Sequence, residues 1–224
     1  MKQMPRFAVI LSGCGRADGS EIHEATLALL AIDNNGASYS CFAPDILQST
    51  TINHLTSSPV SETRNVLEES ARIARGNISP LTQLNLEEFD CILFPGGLGA
   101  ITNWCDFNQK SFSCSVNEEI KNILEQAYTS HKVIGAMCIA PVLLARVLGK
   151  YGITITIGND KKLAAEIEKT KAHHQDTTKD DICEDKENLI VTTPAYMLAT
   201  SIKDVAIGAD KMVKSMIELA TKSK

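Results

Sequence analysis

Apolar positions along the chain alternate between two spacings. Arg6 to Ser12 and Phe89 to Phe94 are short, nearly continuous apolar runs, the pattern of strands buried on both faces. Behind the first run, apolar residues at 22, 25, 29, 30 and 32 return at helical intervals. They predict a helix with Ser20 as N-cap, acids in its first turn, and Asn34-Asn35-Gly36 as its stop. Ser38 to Ala43 reads as a second strand, Arg64 to Arg75 as a helix closed by Gly76-Asn77, and Asn117 to Tyr128 as another helix. Ile153 to Ile157 alternates Ile and Thr as a strand does, Lys161 to Lys171 fits a helix, and Asn188 to Thr193 fits a strand. A terminal helix over Lys203 to Lys222 turns Val205, Ala209, Met212, Val213, Met216 and Leu219 or Ala220 inward. This alternation predicts an α/β fold, a mostly parallel sheet with helices on both faces. No repeat or linker interrupts it, so residues 1–224 read as one domain, with 45–62, 100–116 and 171–187 as insertions or rims.

One stretch, His131 to Leu144, carries the chemistry. A β-branched apolar start leads into Gly135-Ala136-Met137-Cys138-Ile139-Ala140-Pro141, then into apolar residues at helical spacing. Strand, sharp turn and helix in that order put a side chain at a backbone corner on the carboxyl edge of the sheet. The unpaired N–H groups of a following helix stabilise a thiolate there, so Cys138 is a candidate nucleophile with a lowered pKa. A buried structural cysteine is the alternative, because free Cys is among the most buried residue types.

Composition narrows the partners. The 224 residues are 44% hydrophobic and 22% charged, with a net charge of −5, which leaves no broad basic surface for nucleic acid. Seven cysteines, at 14, 41, 91, 105, 114, 138 and 183, form no CxxC pair, so no metal site is expected. The odd, scattered set favours reduced thiols and a cytoplasmic protein. The opening Met1 to Arg6 and the short apolar run Phe7–Leu11 resemble neither a signal sequence nor a membrane span.

Three loops therefore fall at strand carboxyl ends, 12–20, 94–100 and 137–139, the edge where open α/β sheets bind ligands. The glycines at 13, 15 and 19 give GxGxxxG rather than a dinucleotide fingerprint, and Pro95-Gly96-Gly97-Leu98-Gly99 lacks the Lys-Ser/Thr of a phosphate loop. Glycines do let a backbone N–H approach a reacting oxygen. Gly97 N–H with Ile139 N–H would form an oxyanion hole beside Cys138.

Leu-Phe-Pro-Gly-Gly (93–97), followed by Gly-Ala-Met-Cys-Ile-Ala-Pro (135–141) and preceded by an acid early in the first helix, resembles the PfpI and class I glutamine amidotransferase-like superfamily. Ser-Gly-Cys-Gly (12–15), Asp-Gly-Ser-Glu-Ile-His-Glu-Ala (18–25), Cys-Phe-Ala-Pro-Asp (41–45), Glu-Thr-Arg-Asn-Val-Leu (62–67) and Val-Thr-Thr-Pro-Ala-Tyr-Met-Leu-Ala (191–199) resemble its ElbB branch, known as isoprenoid-biosynthesis or glyoxalase-like proteins. The resemblance implies a flavodoxin-like sheet, a Cys138 nucleophile, a buried acid from the first helix beside it, no cofactor, and a homodimer. Glu24 is the acid this places at the site, and Glu21 or Asp18 serves as cap or rim group. Complementing the helix dipole is the alternative role for these acids. Cys14, Glu21 and His174 are the candidate auxiliary groups.

The departures limit the chemistry. Protease-like members carry His directly after the Cys, where this chain has Ile139; deglycase-like members carry it later, at Gly158; and glutaminases use a late His-x-Glu, absent from Thr193-Pro194-Ala195. Expelling an amine needs a general acid of near-neutral pKa, so amidase or protease action is disfavoured. An α-oxoaldehyde such as glyoxal or methylglyoxal suits the remaining groups. Cys138 would form a hemithioacetal, Glu24 would move its protons, and a 2-hydroxy acid would leave, a glutathione-independent glyoxalase. Two adjacent buried anions repel, so Glu24 and Cys138 are expected to share one proton. The competing reading is a non-catalytic binding protein whose Cys138 senses oxidants or serves an isoprenoid pathway.

Overall fold

Seven strands form one sheet in the computed structural model, which describes residues 4–222; the readings that involve Met1 to Gln3 lie outside that range. In chain order the first half comprises β1 (Arg6–Ile10), α1 (Ile22–Asn34), β2 (Ser38–Ala43), β3 (Thr51–Asn53), β4 (Ser58–Val60), α2 (Val66–Ile73), β5 (Ile78–Pro80) and β6 (Cys91–Phe94). Two short helices, α3 (Gly99–Thr102) and α4 (Phe107–Lys110), precede α5 (Glu118–Thr129), β7 (Val133–Met137) and α6 (Pro141–Leu148). The remainder is β8 (Thr154–Ile155), α7 (Lys161–Glu168), β9 (His173–His174), β10 (Cys183–Asp185), β11 (Ile190–Thr193) and α8 (Ile202–Lys222).

The sheet order is β10-β11-β7-β6-β1-β2-β5, parallel throughout except for β10. Strands β6, β7 and β11 are buried at every residue and β1 at all but its first, which requires helices on both faces. Helix α8 packs on α1 and crosses β11, β7 and β6, while α5 and α6 pair against β7. Each inward position expected for the terminal helix is buried. From β1 the chain winds outward to β2 and β5, then returns to β6 on the other flank and winds outward again. That reversal opens a crevice beyond the carboxyl ends of β1 and β6.

Four local expectations change. Ser20 does not cap α1: Glu21 does, its side chain accepting from Glu24 N at 2.8 Å, while Ser20 Oγ accepts from Ser12 N at 2.9 Å and closes the 12–20 loop. The alternating Ile153 to Ile157 contracts to β8 and pairs with β9 in a separate ribbon. Its amides are diverted, Thr154 N to Asp185 Oδ2 and Thr156 N to Thr192 Oγ1, so side chains take the place of a ladder. Of the outer strands, β10 lies in the 171–187 stretch read as a rim and β5 in a stretch given no element, because edge strands are short, polar and proline-tolerant. The 45–62 excursion contains the β3–β4 hairpin, tied to the 12–20 loop where Ile52 N donates to Asp18 Oδ2 at 2.7 Å.

Candidate active site

Cys138 stands between β7 and α6 at φ 59°, in the left-handed region that non-glycine residues seldom occupy. Its N–H donates to Thr193 O at the end of β11, 2.9 Å away, which fixes the corner to the neighbouring strand. Strain held in this way by surrounding structure is characteristic of functional turns. The side chain turns into the crevice, where the N–H groups of Gly97 and Ile139 point at the sulfur. Those are the two donors expected for an oxyanion hole.

The loop that brings Gly97 there is packed against the start of α1. Glu21 N donates to Gly96 O at 2.9 Å and Gly99 N to Gly19 O at 3.0 Å. A Cβ on Gly96 would lie 2.3 Å from Glu24 Oε2 and 2.4 Å from the Cys138 Cβ, so only glycine lets carboxyl and thiol share this wall. Gly97 adopts φ 101°, and a Cβ there would strike Gly19 O and Glu21 N at 2.3 Å.

Glu24 is fully buried at the first turn of α1. Its Oε1 accepts from Tyr196 N at 3.1 Å, and Oε2 lies between Gly96 and Cys138 without a full hydrogen bond among the described residues. Burial above all pushes its pKa up to about 8; the Tyr196 N–H opposes the shift, the Glu21 charge adds to it, and the Cys138 thiol opposes it again. The thiol itself is pushed well above its ordinary value by burial first and by Glu24 second, against the pull of the Gly97 and Ile139 N–H groups.

The expected lowering of the Cys138 pKa is therefore corrected. Only 9% of the residue is exposed, and burial with the neighbouring carboxyl outweighs the pull of the Gly97 and Ile139 N–H groups. Below about pH 8 the carboxyl is neutral and the sulfur protonated. The first proton to leave belongs to both groups, and the other stays between them.

Other candidates stand apart. Cys14 is half-buried, bridged to Ser20, and influenced by Glu69, Arg72, Asp18 and Arg64 rather than by the Cys138 corner. His174 lies on β9 with its side chain 3% exposed; its Nε2 accepts from Ile157 N at 3.3 Å, its Nδ1 lies 3.5 Å from Asp176, and burial lowers its pKa. It does not complete the Cys138 site. Glu21 caps α1 and adds its charge to the field at Glu24. Sequence reasoning missed Tyr196, although Pro194 just after an apolar strand marked a loop at the ligand edge. A cavity of about 970 Å³ opens elsewhere, among Ser111, Arg146, Lys150 and Glu166, without reaching Cys138. Among the described residues no group of three or more His, Cys, Asp and Glu side chains is placed to hold a metal ion, and no helix is long and apolar enough to cross a membrane.

No family profile matches the chain. The ES1 protein homolog, mitochondrial, of Rattus norvegicus is 40% identical over 97% of this chain and 85% of its own length. The human glutamine amidotransferase-like class 1 domain-containing protein 3, mitochondrial, is also 40% identical, over 97% of this chain and 84% of its own. Among solved structures, an isoprenoid biosynthesis protein with amidotransferase-like domain from Ehrlichia chaffeensis superimposes with a TM-score of 0.88 at 36% identity, covering 95% of this chain and 99% of its own. The mitochondrial names of these relatives overturn the cytoplasmic expectation. Scattered reduced thiols report a reducing environment, which is a redox property and not an address.

Proposed function

The chain belongs with the ES1 proteins to the ElbB-like part of the class I glutamine amidotransferase and PfpI superfamily, and from that premise we propose that it converts small α-oxoaldehydes to 2-hydroxy acids without glutathione. The observation that carries this reading is a buried carboxyl and a thiol side by side on the Gly96 wall, with two N–H groups converging on the sulfur. In the state with one proton, sulfur adds to the aldehyde carbon of glyoxal. The oxygen that becomes negative lies toward Gly97 and Ile139 N–H and takes the shared proton, leaving a hemithioacetal and the Glu24 carboxylate. Glu24 then removes the hydrogen from the carbon bonded to sulfur and returns it to the adjacent carbon, which yields a glycolyl thioester. Water cleaves the thioester, releases glycolate and restores the thiol, so one water is consumed for each glyoxal.

With 9% of Cys138 exposed, access to the sulfur favours a substrate of a few heavy atoms over a peptide. The same burial argues against the sensor reading, since oxidant sensing needs an accessible thiolate. The test compares glycolate formed from glyoxal by wild type, Cys138→Ala and Glu24→Gln. Turnover is expected in the wild type and absent from both variants. Equal slow conversion by all three would sink the reading.

A further inference from the structure

The Gly97 N–H serves as an oxyanion donor only while its loop is held in place, and one of the holds runs outward to a titratable side chain. Leu98 N donates to Arg16 O at 2.9 Å. The same peptide unit presents its N–H, that of Ala17, to His54 Nε2 at 3.2 Å. A planar peptide passes a tilt at one end to the other, so the imidazole and the residue after Gly97 are joined through a single rigid group. The remaining holds lie on the inner side of the loop, Glu21 N to Gly96 O and Gly99 N to Gly19 O.

His54 follows β3, on the hairpin tied to the 12–20 loop. Its other nitrogen, Nδ1, lies 3.1 Å from Ile52 O. An acceptor at Nδ1 and a donor at Nε2 select the neutral tautomer with its hydrogen on Nδ1. Asp18 Oδ1 lies 3.6 Å from Nε2 and has no hydrogen-bond partner among the described residues, although the Asp18 side chain is only 3% exposed. A buried carboxylate oxygen without a donor is costly, and protonation would turn Nε2 into one. A Cβ on Gly15 would lie 2.6 Å from Nε2 and 2.7 Å from Oδ1, so glycine is what lets the two approach. The imidazole is exposed, and protons reach it from solvent. The charged and titratable groups around this corner are Asp18 and Cys14 on the loop, and Arg64 ahead of α2 with its partners Glu62 and Glu69; Arg72 pairs with Glu69 as well. Among the described residues Asp18 is the one that pairs with His54.

We propose that His54 is a positioning residue for the Gly97 oxyanion donor and makes the placement of that donor depend on pH. In the neutral imidazole the Nε2 lone pair holds Ala17 N–H, and with it the Arg16 carbonyl against Leu98 N. Between pH 8 and 5, where imidazoles gain a proton, Nε2 becomes a donor, gives up Ala17 N–H and turns to Asp18 Oδ1. The 16–17 peptide then loses its outer hold, and the Gly97 loop keeps only its bonds at Gly96 and Gly99. One proton is taken from solvent and none passes to the substrate.

This role rests on the oxyanion hole of the glyoxalase reading, and two readouts keep them apart. Backbone amides of wild type and His54→Gln are followed by NMR from pH 5 to 7.5, below the step near pH 8 at Glu24, and glycolate formation from glyoxal is measured over the same range. Gln offers Ala17 N–H an acceptor that does not titrate. In the wild type the Ala17 and Leu98 amides should shift with the midpoint of the His54 ring; in His54→Gln they should stay still. Both proteins lose turnover in acid as the Glu24–Cys138 pair fills with protons. The wild type should lose roughly a further fivefold by pH 5, the worth of one backbone hydrogen bond, and His54→Gln should not. His54→Ala, with no acceptor, should be slow by about that factor even at pH 7.5, and Gln should restore the rate. Ala17 and Leu98 amides that ignore the His54 titration overturn the positioning role whatever the rate. Amides that follow it in a wild type that makes no glycolate overturn the glyoxalase reading and leave the role standing. An acid loss of equal size in wild type and His54→Gln overturns the link from His54 to turnover.

Discussion

Two cysteines occupy comparable addresses in this protein. Cys14 follows β1 and Cys138 follows β7, both at the carboxyl edge of the sheet and both near acids. Their surroundings differ in what the backbone donors do. Around Cys14 they are committed to the fold, Gly13 N to Ser70 Oγ and Gly15 N to Ser20 O, each at 2.9 Å. Around Cys138 the Gly97 and Ile139 N–H groups are aimed at the sulfur, and a carboxyl with a pKa near 8 stands beside it. The two corners thus differ in which backbone donors remain uncommitted, and less in the thiol itself.

The largest expected effect removes one thiol at a time. Cys138→Ala should lower glyoxal turnover by about 10³-fold or more, as loss of a covalent nucleophile does. Cys14→Ala should stay within about twofold, a change too small to touch the transition state. Equal losses in the two variants, measured as glycolate release, would erase the distinction.

The carboxyl gives the next effect, which is read in stability. Glu24 is raised from 4.5 to about 8 in the folded protein, so between those values the unfolded chain releases a proton that the native state retains. Its contribution is fully present below pH 4.5 and is lost as pH rises to about 8. Across that window the loss amounts to a few kcal/mol, at about 1.36 kcal/mol per pKa unit. Glu24→Gln removes the ionisation, so denaturant midpoints of variant and wild type should diverge in favour of the variant as pH is raised. A constant difference from pH 5 to 8 would contradict the assigned burial.

Gly96→Ala tests the shared wall. Its Cβ would meet Glu24 Oε2 and the Cys138 Cβ, both held by the strand end and by α1. The expected cost is about 1–3 kcal/mol of stability, the usual range for overpacking, with turnover reduced because carboxyl and thiol are forced apart. Full turnover in a folded Gly96→Ala protein would mean that the two groups need not touch.

The reach of the sequence follows the same division. Strands β1, β6 and β7 and the buried stripe of α8 were legible because burial on both faces leaves a continuous apolar run, and burial of one helix face leaves a 3.6-residue period. The position of Cys138 and Ile139 at the β7–α6 corner was legible from strand–turn–helix order, and that of Gly97 at the sheet edge from the glycine loop after β6. Edge strands β5 and β10 leave no such trace: three residues ending in Pro80, and Cys183-Glu184-Asp185, are too short and polar to show a strand pattern. Ser20 and Glu21 are both competent caps, and only the Ser12–Ser20 contact decides between them. The raised thiol pKa depends on burial by elements far apart in the chain, and Tyr196 reaches the site only because β11 lies beside β7.

The smallest effect is a shift in where each thiol begins to react. Iodoacetamide alkylates thiolates, so its rate tracks deprotonation. For Cys138 the first proton leaves the Glu24–Cys138 pair near pH 8, and above that the share of thiolate within the singly protonated pair is constant. Its alkylation rate should climb about tenfold per pH unit up to about 8 and then flatten. Cys14, raised from 9.0 by burial and Glu69 with no partner proton to exchange, should keep climbing past pH 9. In Glu24→Gln the break for Cys138 should vanish while the Cys14 curve stays unchanged. Peptide mass analysis after timed labelling reads both thiols in one sample. A Cys138 curve rising smoothly past pH 9 in the wild type would show that sulfur and carboxyl titrate independently, and the two cysteines would then differ only in exposure.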